Sequence, residues 1–178
     1  MKRNIYIVIS QTGTILSVLL KSITKKEYNH ASISLNKNLF PMYSFGRMNP
    51  YNPVWGGFVL ESINAGTFKR FKNTQAIVLE IPIEKKDYEN LRDRLRSMHK
   101  NSNNYGYNYL GLFMAAIKIK WSQKNAFYCS EFVKDLLIMY RVKGYEQLVG
   151  IVHPIQFLNL PEARVVYKGR LRKYKYNG

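Results

Sequence analysis

Side chains able to do covalent chemistry are sparse in this chain: one cysteine, Cys129, and three histidines, His30, His99 and His153. Cys129 lies in Phe127-Tyr128-Cys129-Ser130-Glu131-Phe132-Val133, where Phe132, Val133, Leu136, Leu137 and Tyr140 recur at the spacing of one helical face. The cysteine therefore opens a helix on its buried side. Unpaired N–H groups in a first helical turn and the helix dipole favour a thiolate over a thiol, and the same N–H groups can hold a developing oxyanion. A thiol nucleophile also needs a base. In Tyr28-Asn29-His30-Ala31-Ser32-Ile33-Ser34-Leu35, Ala31, Ile33 and Leu35 alternate with His30, Ser32 and Ser34, so His30 starts a strand on its more polar face. His153 is its rival, but it precedes a proline that fixes extended backbone and no strand pattern surrounds it. His99 belongs to a basic helix end. The plain alternative for a lone cysteine is a small buried apolar residue.

The elements that must carry these residues follow in order. Asn4 to Ile9 reads as a buried strand, and Gln11-Thr12-Gly13-Thr14 as a turn from which Thr12 or Thr14 caps a helix from Ile15 to about Lys25. After the His30 strand, Asn36-Lys37-Asn38 turns the chain into a second strand, Met42 to Arg47. Arg47 to Gly57 reads as a long irregular loop carrying Tyr51 and Trp55, either a substrate-binding wall or a surface crossing. Phe58 to Ile63 and Ala76 to Ile83 continue the sheet, joined by the basic and aromatic stretch Gly66 to Lys72. Glu84 to Lys100 is an amphipathic helix, Leu110 to Ile119 a second, apolar one, and Arg164 to Leu171 a last strand.

Three stretches in this order resemble the circularly permuted papain-like group, which includes bacterial relatives of NlpC-type peptidases and lecithin retinol acyltransferase-like proteins. They are Thr24 to Leu35 with its Asn-His-x-Ser-Ile-x-Leu, Tyr128 to Val133, and Val152-His153-Pro154-Ile155-Gln156-Phe157. The resemblance implies an α+β, permuted papain-like (NlpC-type) fold in one domain over residues 1–178, with an antiparallel sheet packed against helices and the nucleophile at a helix N-terminus. It implies Cys129 as nucleophile and His30 as base. A third polar residue on the partner strand would orient the ring, and aligning the strands puts Ser44 there, with Asn36 as the alternative. Serine departs from the residues more usual at that position, since a short hydroxyl orients imidazole more weakly than a carboxylate. Gln11, Thr12 and Tyr107 become substrate contacts by the same resemblance, although capping or turn chemistry accounts for the first two and core packing for the third.

Length and composition bound the function. At 178 residues with 46% apolar content, the chain can bury a substantial single core. One cysteine excludes an internal disulfide, and scattered histidines give no zinc spacing, so no metal or cofactor is expected. The apolar start lacks a cleavage site and no run is long enough to span a bilayer, which points to the cytoplasm. Twenty-eight basic against 11 acidic residues give a net charge of +17, which attracts an anionic polymer or membrane surface, though no nucleic-acid motif accompanies it. Two classes remain. One is a thiol hydrolase or acyltransferase acting on a peptide, a peptidoglycan-type amide or an acyl group; the other is a basic binding protein of the same fold without turnover.

Overall fold

The computed structural model of the chain describes residues 1–12, 27–49, 51–117, 119, 121 and 123–176, with the side chains of 52–54 set aside. Among these residues the strands are β1 (Lys2–Gln11), β2 (His30–Ser34), β3 (Met42–Asn49), β4 (Asn52–Glu61), β5 (Gln75–Glu84), β6 (Gly106–Tyr107), β7 (Ala126–Phe127) and β8 (Arg164–Arg170). The α-helices are α1 (Gly66–Arg70), α2 (Lys85–Lys100), α3 (Tyr109–Ala116) and α4 (Cys129–Met139). The architecture is α+β. Its single sheet has the order β7-β6-β4-β3-β2-β1-β5-β8. The sheet is mixed rather than antiparallel throughout, because β6 and β7 run parallel. A parallel pair needs a crossover between its strands, and α3 lies in that crossover.

β1 is the middle of the sheet, paired with β2 on one side and β5 on the other, so Ile5, Tyr6, Ile7, Val8 and Ile9 are buried on both faces. Its β-branched run suits that position. On one face Ile5, Ile7, Ile9, Ala31, Ile33 and Phe45 pack against Leu91, Leu95 and Met98 of α2 and Phe132, Val133, Leu136 and Leu137 of α4. On the other face Tyr6, Val8, Met42, Ala76 and Val78 meet Phe68 of α1 and Leu171, with Tyr174 and Tyr176 of the C-terminal segment over them. No helix among the described residues is long and apolar enough to cross a membrane.

Two expectations change here. The stretch from Arg47 to Gly57 is a tight hairpin rather than a long loop, with Arg47 opposite Gly56 and Asn49 opposite Asn52 across a register shift. Asn49 Oδ1 accepts the Tyr51 N–H at 2.8 Å, a side-chain turn that lets the strands continue to its tip. Tyr51 and Trp55 point outward from it. The stretch from Gly66 to Lys72 folds its first residues into α1, which buries Phe68. The expected helix over Ile15 to Lys25 lies outside the described residues.

Candidate active site

α4 begins at Cys129, and its first intrahelical bond runs from the Phe132 N–H to the Tyr128 carbonyl. The N–H groups of Cys129, Ser130 and Glu131 therefore precede the helical ladder, with the positive end of the helix dipole among them. Packing fixes this end: Phe132 lies 5.1 Å from the Phe45 ring and 5.8 Å from the Phe58 ring, centroid to centroid, which presses α4 onto β3 and β4. The thiol faces the start of β2. Cys129 Sγ is 3.7 Å from the Asn29 carbonyl oxygen, and the next residue is His30.

His30 stands across from Ser10 of β1, and its ring is held by Glu61. Nε2 lies 2.9 and 3.1 Å from the two carboxylate oxygens of Glu61, and Cys129 is an electrostatic neighbour of the ring. The Ser32 hydroxyl donates to Glu61 Oε2 at 2.5 Å and so fixes the carboxylate in turn. Burial pulls the His30 pKa down, but the Glu61 charge, the bond to Cys129 and the bond to Glu61 outweigh it. The imidazole pKa is thereby held well above its ordinary value.

Ser44 does not orient the ring. It is fully buried, and its hydroxyl donates to the Ala31 carbonyl at 2.7 Å and lies 3.3 Å from the Phe45 carbonyl. Glu61 of β4 takes the expected role, one strand further away. It can do so because between the two side chains the intervening β3 presents the small Ser44 and Gly46, with Met42 opposite Glu61 itself. A Cβ placed on Gly46 would lie 3.7 Å from both Glu61 Oε1 and His30 Cε1, so the carboxylate and imidazole meet directly over that glycine. The residues alone held one signal for Glu61: a carboxylate in an otherwise apolar strand segment, Phe58-Val59-Leu60-Glu61. Asn36, the other candidate, turns the chain after β2, where its side-chain N–H donates to the Phe40 carbonyl at 2.8 Å.

Tyr107 lies at the site. Burial raises the pKa of its phenol, and the Cys129, Tyr109 and Glu61 charges push the same way against Arg47. Its ring lies tilted against Tyr109, 4.4 Å between centroids, and both crowd Gly56, where a Cβ would fall 2.8 Å from Tyr107 Cβ and 2.5 Å from Tyr109 Oη. Gln11 and Thr12 follow Ser10 at the same end of the sheet, but they line a separate groove with Arg70, Phe71, Lys72 and Asn73. His153 shares a narrow apolar cleft with Cys129, whose walls include Leu112, Ala115, Val152 and Pro154 and whose free volume is about 30 Å³. That is room for a water-sized group, such as the oxygen of a carbonyl. Among the described residues no cluster of three metal-ligating side chains exists.

No family model, curated protein or solved structure matches the chain.

Proposed function

We propose that the chain is a thiol hydrolase of the permuted papain-like kind, acting on a peptide, peptidoglycan-type amide or acyl substrate. The observation that carries this reading is the line Cys129–His30–Glu61, a thiol at a helix start against the backbone next to His30, and an imidazole with a carboxylate on it that raises its pKa. In the reacting pair His30 takes the thiol proton of Cys129. The sulfur attacks the carbonyl carbon, a C–S bond forms, and the oxyanion meets the Cys129 N–H. His30 then gives its proton to the leaving nitrogen or oxygen as that bond to carbon breaks. Water adds to the thioester with neutral His30 taking its proton, the acid leaves, and the pair is restored.

A second reading, a basic binding protein of the same fold without turnover, is favoured by the burial of Cys129, which is only 2% exposed. Alkylation separates the two. Under the hydrolase reading iodoacetamide modifies Cys129 at neutral pH, and His30→Ala lowers the rate by about 10²-fold or more, the scale on which a positioned base or acid acts. His153→Ala lowers it far less. Equal rates in the two variants would remove His30 from the mechanism, and an inert Cys129 would leave the binding protein.

A further inference from the structure

Two arginines on different elements converge on one aromatic ring beside this site. The Arg47 guanidinium of β3 lies 5.8 Å from the Phe71 ring centroid, and that of Arg70, at the end of α1, lies 5.4 Å from the same ring and 4.3 Å from Tyr51. Arg47 is half-buried, and none of the ion pairs among the described residues includes it. Burial and the Arg70 charge both pull its pKa below the ordinary guanidinium value. Bringing a second positive charge up to half-buried Arg47 disfavours the fold unless something negative joins Arg47. A cation on a partly exposed aromatic face gains little, so the Phe71 ring only weakly offsets the cost of burying the Arg47 charge.

The surroundings join this pair to the reactive end of the molecule. Arg47 lines one groove of about 260 Å³ together with Glu61 and Phe68. Arg70 and Phe71 line the neighbouring groove of about 440 Å³ with Gln11, Thr12 and Lys72. Arg47 is also a charge neighbour of Tyr107, and Tyr107 of Cys129. We propose that Arg47 and Arg70 form an anion-binding site flanking Cys129 and His30, which takes a carboxylate or phosphate group carried by the substrate. Planar guanidiniums grip both groups through paired N–H donors. The inference rests on the hydrolase reading for its substrate, but the binding itself does not require turnover.

The test uses iodoacetate and its neutral isostere iodoacetamide on the full chain. Each alkylates Cys129, forming a C–S bond as iodide leaves, and only the first carries a carboxylate. The ratio of iodoacetate to iodoacetamide rates should fall about tenfold in Arg47→Gln or in Arg70→Gln, the equivalent of one lost charge-assisted contact. Arg70 is exposed, so its variant keeps the test available if Arg47→Gln fails to fold. Lys100→Gln, which removes a charge at the exposed end of α2, controls for diffuse attraction. An unchanged ratio in both arginine variants, or an equal fall in Lys100→Gln, overturns the proposal. If Cys129 resists both reagents, the hydrolase reading fails and the anion site is decided by binding to Cys129→Ala protein. There inorganic phosphate and an N-acetyl dipeptide acid, each against the dipeptide amide, should shift the Arg47 and Arg70 side-chain NMR signals. No shift with either anion overturns the site, and the anion with the larger shift identifies which group it takes.

Discussion

A buried imidazole ordinarily gives up its proton, because desolvation disfavours the charged form. The His30 pKa is instead raised, because the Glu61 charge and the neighbouring Cys129 outweigh its burial. Glu61→Gln should therefore lower the His30 pKa and move the alkaline limb of Cys129 alkylation to lower pH, a shift read from the rate against pH. The sign follows from linkage. A raised folded-state value contributes stability that is complete below about pH 6.5 and is lost as pH rises through the folded value. The stability gap between wild type and Glu61→Gln should thus narrow toward alkaline pH in urea titrations. Ser44 gives the contrast: Ser44→Ala removes one buried hydrogen bond, which costs about 0.5–1.5 kcal/mol, and leaves the alkylation profile where it was.

At the scale of elements, α4 and the β6–β7 edge decide where sulfur and phenol sit. Phe132 joins the ring cluster of Phe45, Phe58 and Phe127, so α4 is seated by aromatic packing against strands from both ends of the chain. Phe132→Ala should cost about 3–5 kcal/mol in a thermal or denaturant melt, the range for losing a large buried aromatic side chain. Gly56 sets the other wall. A methyl there would overlap Tyr107 and Tyr109, so Gly56→Ala should displace the tyrosine pair and cost about 1–3 kcal/mol, with a changed Tyr107 environment in NMR spectra.

The whole molecule is closed on the face away from α4 by its C-terminal segment. The Tyr6 hydroxyl at 2.9 Å and the Tyr176 hydroxyl at 2.8 Å both donate to Glu80 Oε1, while Arg164 pairs with Oε2. Burial would raise the Glu80 pKa, but the bonds from Arg164, Tyr176 and Tyr6 outweigh it and hold the carboxyl below its usual value. This contribution is present above about pH 4.3 and is lost as pH falls through the lowered folded value. Glu80→Gln should flatten the acid side of the stability profile and release Tyr176, measurable by denaturation against pH and by faster proteolysis of the tail.

The local code was strong enough to be read directly for several parts of the chain. Period-2 and helical apolar patterns mark β1, β2, β5 and α2, Cys129 opens α4, and its thiol lies 3.7 Å from the Asn29 carbonyl just ahead of the strand that carries His30. Hairpin and crossover geometry left weaker marks. Asn and Gly residues between Arg47 and Gly57 spell a loop until cross-strand pairing extends β3 and β4 through them. The third residue was hidden for the same reason. A partner strand predicts a neighbour at Ser44, but Glu61 reaches His30 over two small residues from the strand beyond, and no spacing along the chain encodes that step. Net charge, likewise, is a property of composition, whereas bringing Arg47 and Arg70 onto one ring required the hairpin and α1 to fold side by side. Periodicity is fixed by neighbours a few residues apart, and contacts across non-adjacent strands exist only once the sheet has formed.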